Sequence, residues 1–170
     1  MKKKDRTWKD QIPSVLSTIL FVSQIILGIF LLPEITQISM LAYIGTALYI
    51  LSGFIFGMLP IFEFREKGRV KKGKSYVHTT KLVNTGIYSI VRHPQYVTFV
   101  LFGISGMFLF QHWIVILLGL LIIPLTYIDL KKADLECVSK FGDEYIQYMQ
   151  KVPQANFLLG IIRLYRNRNR

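Results

Sequence analysis

Apolar residues run along this chain in four blocks separated by charged segments. Residues 14–32 hold 19 positions without a charge, and residues 38–62 hold 25, ending close to Pro60. A helix needs roughly 20 mostly apolar residues to cross a bilayer, so both blocks are long enough. No polar face interrupts either one, which argues against amphipathic helices of a soluble bundle. Residues 96–110 and 113–128 form shorter blocks of 15 and 16 residues. Only Gln111 and His112 lie between them, which predicts a tight antiparallel helix hairpin. The expected fold is an all-α integral membrane protein with about four transmembrane helices (14–32, 38–62, 96–110 and 113–128). Residues 1–170 form a single membrane-embedded domain in this reading, with cytoplasmic and interfacial helices in the tail. The first block is longer than the roughly 7–15-residue core of a signal peptide and no A-x-A site follows it, so it is expected to remain as a span.

The pattern changes after residue 128. Leu130, Leu135, Val138, Phe141, Tyr145 and Tyr148 recur near helical spacing, with Gly142 as a break between two shorter helices. Val152-Pro153 ends the run. Residues 157–162 are apolar but too short to cross, and are expected to dip into the interface with Arg163, Arg166, Arg168 and Arg170 on headgroups.

Composition agrees with a membrane reading. Hydrophobic residues make up 52% of the chain and charged ones 18%, which excludes disorder and falls below the roughly 25% charge of a soluble globule. The lone cysteine, Cys137, rules out an intramolecular disulfide and a Cys-rich zinc site. The net charge of +11 points to nucleic acid or to an anionic membrane surface. Its distribution decides between them. Five basic residues lie in residues 1–13, eight in 63–95 and eight after 128, with none in the loop 33–37 or between the hairpin helices. All 21 therefore fall on one side of a four-helix arrangement, and the positive-inside rule makes that side cytoplasmic. Both termini and the segments 63–95 and 129–170 are expected there. The basic excess needs no nucleic-acid partner; it fits orientation and attraction to anionic headgroups.

Polar residues that could carry chemistry crowd into residues 82–96 and 134–153. Pro94 suits the first turn of a helix, where its missing N–H has no partner in any case. Arg92 and His93 then stand immediately before a helix N-terminus, an end that attracts anions. They either clamp a carboxylate there or snorkel and face water. His78 either lines the same pocket or faces solvent. The three histidines cannot meet as metal ligands, because His112 lies at the opposite membrane face from His78 and His93, so no metal is expected.

The segment Gly86-Ile87-Tyr88 followed by Arg92-His93-Pro94-Gln95-Tyr96, then a hydrophobic hairpin, resembles the isoprenylcysteine carboxyl methyltransferase and phospholipid methyltransferase superfamily. The tail adds an acidic residue, then Phe141-Gly142-Asp143-Glu144-Tyr145-Ile146-Gln147-Tyr148, then Val152-Pro153, so the resemblance runs in order from Leu82 to Pro153. It implies S-adenosylmethionine as methyl donor, bound at the cytoplasmic face by His93, Pro94 and Tyr96 with Tyr88 nearby. Tyr145 and Tyr148 close that pocket or pack within the tail. Arg92 and an acidic residue carry the substrate side.

The chain departs from the family pattern in places. Paired carboxylates seven and eight residues before Phe-Gly become Asp134 and Ala133. Glu136 lies about 200° around the helix from Asp134, so Asp134 is the preferred acid. Thr98 stands where the family has a small glycine, and Phe157 where a proline usually follows Val-Pro. The implied acceptor is lipid-like, an isoprenylcysteine-type carboxylate in first place and a phospholipid amine as the alternative. The runner-up from another enzyme class is a sterol-reductase-like membrane oxidoreductase, which would need a nicotinamide cofactor; the chain is short for that and shows no second cofactor segment. A non-enzymatic scaffold, the third reading, leaves the ordered polar motifs without a cause.

The charge distribution yields a direct test. Cysteines introduced at Gln37 and Lys72 should label from opposite faces of intact cells; labelling from the same face would refute four spans with both termini inside.

Overall fold

The computed structural model describes residues 11–31, 39–69 and 79–168. The basic N-terminal arm, the loop 33–37 and His78 lie outside those residues. Among the described residues the chain is helical without strands. Helix α1 spans Ile12–Leu31 and α2 spans Met40–Ser52. A π-helical turn, Gly53–Met58, leads without a break into α3, Leu59–Lys67. After a 3-10 turn at Gly86–Ser89 come α4 (Pro94–Phe110), α5 (Trp113–Phe141), α6 (Asp143–Lys151) and α7 (Phe157–Arg168).

Three of these helices are long and apolar enough to cross a membrane: Ile12–Leu31, Met40–Lys67 and Trp113–Phe141. Three of the four expected spans are therefore present at full length, which makes this a multi-pass membrane protein. The remaining one, α4, has 17 residues and at 1.5 Å per residue reaches about 25 Å, short of the roughly 30 Å hydrocarbon layer. The hairpin turn forms as expected, with Gln111 in the left-handed region (φ 51°). The His112 ring accepts from the Ile114 N–H at the start of α5.

The end of the last span differs from expectation. A separate tail helix beginning at Asp129 is not what forms: α5 continues through that position for 29 residues in all. Nothing between Asp129 and Phe141 breaks a helix, so the backbone continues where hydrophobicity stops. The expected break falls at Gly142, whose φ of 59° ends the helix.

The chain divides into two compact units. The first comprises the described part of Met1–Gly53 with Thr98–Lys132, and its packing centres on a buried polar residue. Gln24 of α1 is 1% exposed and donates through Nε2 to the carbonyls of Gly103 (3.0 Å) and Val115 (3.1 Å). The space for it comes from glycines. A Cβ at Gly106 or Gly119 would stand 2.8 Å from the Gln24 amide. Small residues and interhelical hydrogen bonds are how helices associate in lipid, where no hydrophobic driving force separates them from the tails. Phe102 adds a stacked layer between Phe21 (5.7 Å) and Tyr49 (4.1 Å). The second unit, Phe54–Val97 with Ala133–Arg170, carries the polar site.

Gly119→Val should destabilise the protein by about 1–3 kcal/mol, since its side chain would meet the Gly103 carbonyl oxygen, which is backbone and cannot swing away, at 2.9 Å. Gln24→Leu should cost less, about 0.6 kcal/mol for each of the two lost hydrogen bonds. Thermal unfolding in detergent orders the two variants, and the reverse order would refute glycine-made space as the basis of this packing.

Candidate active site

The motif segment has little regular structure of its own and is held by its neighbours. Gly86 adopts a left-handed backbone, φ 57°, where a side chain would run into the Glu63 carboxylate of α3. One oxygen of that carboxylate, Oε2, is buried and meets Lys67 Nζ at 2.7 Å, while the side chain as a whole is half-buried. Tyr88 is 3% exposed, with its ring stacked on Phe64 at 4.5 Å and its carbonyl accepting from the Tyr148 hydroxyl. Val91 is fully buried, and Pro94 opens α4 with its ring buried. Between them, the backbone N–H groups of Arg92 and His93 donate to the carbonyls of Pro153 (3.1 Å) and Gln154 (3.2 Å). The residues after Val152 thus form a strap paired to the motif.

Helix α6 supplies the third wall. Tyr145 and Tyr148, three residues apart, share one helix face and pack with Leu82 and Val152. Cys137, Val138, Phe141 and Met149 flank that cluster.

These elements converge on Asp134, on the charged extension of α5. Arg92 donates to it twice, Nε to Oδ1 at 3.2 Å and Nη2 to Oδ2 at 2.6 Å. His93 Nε2 lies 2.7 Å from Oδ1, the Tyr145 hydroxyl donates to Oδ1 at 2.6 Å, and the Gln154 amide donates to Oδ2 at 2.8 Å. Arg92 Nη1 donates to the carbonyls of Met149 (3.0 Å) and Val152 (2.6 Å). The Arg92 and Asp134 side chains are 7% and 10% exposed. A buried ion pair is tolerated when further hydrogen bonds satisfy its partners; here the carboxylate is saturated and four of the five Arg92 N–H groups are engaged.

The geometry assigns the protons. Burial, followed by the hydrogen bond to Asp134, pushes the Tyr145 hydroxyl well above the usual phenol range, so it remains a donor. Burial does the same to Tyr148. With Tyr145 donating to Asp134, His93 gives its own Nε2–H to the carboxylate, while the Tyr145 oxygen stands 3.1 Å from the same nitrogen. The His93 Nδ1 then makes no hydrogen bond among the described residues, and its ring meets Tyr96 edge-on at 5.8 Å. Of the five N–H donors of an arginine, four of Arg92's are engaged here, leaving one on Nη2.

Arg92, His93, Asp134 and Tyr145 thus meet in one cluster, with Tyr88 and Tyr148 bonded to each other behind it. Pro94 and Tyr96 flank His93. Glu136 is exposed on α5. Sequence reasoning missed Gln154, the carbonyls of Met149 and Val152, and Glu63. The positions of the carbonyls carried no signal in residue type, while Glu63 was legible only as a charge beside a span.

Comparison with known proteins follows the same residues. Residues 69–133 match the model of the isoprenylcysteine carboxyl methyltransferase family. That match takes in the Arg92-His93-Pro94 segment and the hairpin, and stops one residue short of Asp134. Among curated proteins, the chain is 31% identical over 109 residues to the protein-S-isoprenylcysteine O-methyltransferase of Schizosaccharomyces pombe. The alignment covers 58% of this chain and 46% of that relative, so the chain spans less than half the length of the protein it matches. No solved structure matches.

Tyr145 makes stability pH-dependent. Its raised folded-state pKa favours the folded protein below the unfolded phenol value of about 10, and this contribution is lost as pH rises above it. Unfolding curves should show stability falling from about pH 10 upward. Tyr145→Phe should be less stable near neutrality, by about 1.5–3 kcal/mol for a hydrogen bond to a charged group, and should lose less on alkalinisation. An equal alkaline loss in the variant would refute the assignment of that proton.

Proposed function

We propose that this chain is a membrane-embedded S-adenosylmethionine-dependent methyltransferase that esterifies the carboxylate of an isoprenylcysteine-type lipid acceptor. The observation that carries this reading is the saturation of Asp134. A carboxylate offers about four lone-pair sites, and this one faces five donor contacts. It has no capacity left to take a proton from an amine. A phospholipid amine is protonated near neutral pH and needs a base before it can attack, whereas a carboxylate is already ionised. The named activity of the Schizosaccharomyces pombe relative supports the same choice.

The donors and acceptors left unengaged suit the cofactor. A sulfonium nucleoside calls for aromatic faces near its cation and an acceptor for its hydroxyl or amino groups. His93, through Nδ1, and the Tyr96 ring would hold it, with Pro94 beneath, while Tyr88, Tyr145 and Tyr148 fix the wall behind. When bound, S-adenosylmethionine supplies a methyl group on positively charged sulfur. Arg92 keeps one Nη2 N–H that would orient the carboxylate oxygen of the acceptor toward that methyl group. The Arg92–Asp134 pair is internally neutral, so the opposite charges of acceptor and donor would cancel against each other and alignment would do most of the work. Both termini and this site face the cytoplasm in the same reading, supported by the one-sided distribution of basic residues.

Detergent-solubilised protein incubated with methyl-labelled S-adenosylmethionine and either an N-acetylated farnesylcysteine or phosphatidylethanolamine tests it. Base-labile label on the farnesylcysteine is expected; stable label on the phospholipid amine would replace this reading with the amine one. His93→Ala should weaken S-adenosylhomocysteine binding at least about tenfold, roughly 1.4 kcal/mol. Unchanged affinity in a folded variant would remove His93 from the cofactor site.

A further inference from the structure

Helix α7 presents an apolar stripe that no described residue covers. Leu158, Ile161, Ile162 and Tyr165 are 62%, 50%, 64% and 70% exposed. At about 100° per residue they fall within one arc roughly 100° wide. The neighbouring arc is held by the protein: Phe157 rests on Phe56 at 5.3 Å, and Gly160 is buried with its backbone directly against Ile90, where a side chain would not fit. On the other side of the stripe stand Arg163 and Arg166. The helix contains no acidic residue, and none occurs anywhere from Tyr145 to the last residue, a stretch that holds Lys151, Arg163, Arg166, Arg168 and Arg170.

The structure points to an occupant. Phe56 belongs to Met40–Lys67, a helix fit to cross the membrane, and lies seven residues before its first charge, Glu63. At 1.5 Å per residue that is about 10 Å inside the apolar layer. Interfacial helices bury their apolar face about 5–10 Å into the boundary between headgroups and acyl chains. The start of α7 is thus tied to a residue at that depth, with apolar side chains on one arc and arginines on the next.

We propose that α7 is an interfacial helix that docks on anionic lipid. Leu158, Ile161, Ile162 and Tyr165 enter the acyl boundary, and Arg163 and Arg166 contact phosphate-bearing headgroups of net negative charge. The binding is independent of the reaction proposed for the site. It also has a structural effect on the motif, because α7 packs on Ile90, two residues before Arg92, and directly follows the strap bonded to Arg92 and His93.

The test uses the full chain carrying Ile162→Cys in a Cys137→Ser background, labelled with an environment-sensitive fluorophore and reconstituted into vesicles. One set is phosphatidylcholine alone, the other phosphatidylcholine mixed with phosphatidylglycerol, each with and without brominated acyl chains as quencher. The expected result is blue-shifted, bromine-quenched emission that is stronger in the anionic vesicles and weakens as salt screens the headgroups. Arg163→Gln and Arg166→Gln should each reduce the ratio of inserted to free helix about fivefold in anionic vesicles, with little change in neutral ones. The salt titration on the chain with both arginines intact provides the same reading if either variant fails to fold. Equal quenching in both lipids would overturn recognition of anionic lipid. A water-exposed probe in both would overturn membrane docking. A probe shielded from brominated lipid and responsive to the protein-to-lipid ratio would replace lipid with a second copy of the chain.

Discussion

The Asp134 carboxylate is the anchor on which the second unit depends. It is removed from water and receives hydrogen bonds from residues 42, 41, 11 and 20 positions away in sequence. Such an anion is stable only while its partners stay in place, and each partner is in turn held by something else. Arg92 is fixed by two main-chain carbonyls, His93 by its backbone bond to the strap, and Tyr145 by the apolar cluster around Leu82. Removing one member of a buried ion pair leaves the other charge uncompensated, at about 3–5 kcal/mol. The motif segment, the end of α5, helix α6 and the strap therefore form or fail together. The same saturation bears on chemistry: a group that has become the centre of a structural network is poorly placed to accept a proton in a reaction.

Much of this arrangement is legible in the sequence, and the parts that are not share a cause. Hydrophobic blocks mark helices that can cross a membrane because transfer into lipid sums along the chain. They do not mark where a helix ends, because backbone hydrogen bonding continues through Asp129, Lys131 and Lys132 until Gly142 provides a left-handed residue. The second span shows the same thing: its expected bound at residue 62 is set by the first charge, yet the helix runs on past Pro60 to Lys67. The π-helical turn before it makes room for the proline at the first turn of α3, where its missing N–H leaves no bond broken.

The site follows the same division. Position before a helix N-terminus singled out Arg92 and His93, the family resemblance brought in Asp134 and Tyr145, and helical phase separated Asp134 from Glu136. Main-chain acceptors carry no signature in residue type, so the carbonyls of Met149 and Val152 could not be found that way. Gln154 became visible only once the strap was seen to pair with the motif. Phe157, a departure from the family pattern in sequence, proves to be the residue that seats α7 on Phe56.

Gln24 imposes an order on biogenesis. Its amide emerges from the ribosome 79 residues before the Gly103 carbonyl and 91 before that of Val115. At about 5–20 residues per second, the first helix waits roughly 4–16 s before the nearer partner has been translated. Through that interval a polar amide stands in or beside hydrocarbon with no protein acceptor on another helix. The first helix is then best kept near the insertion machinery or its water-filled vestibule until the hairpin arrives. The hydrogen bonds that lock the finished bundle therefore make its opening segment the last to be settled in the membrane.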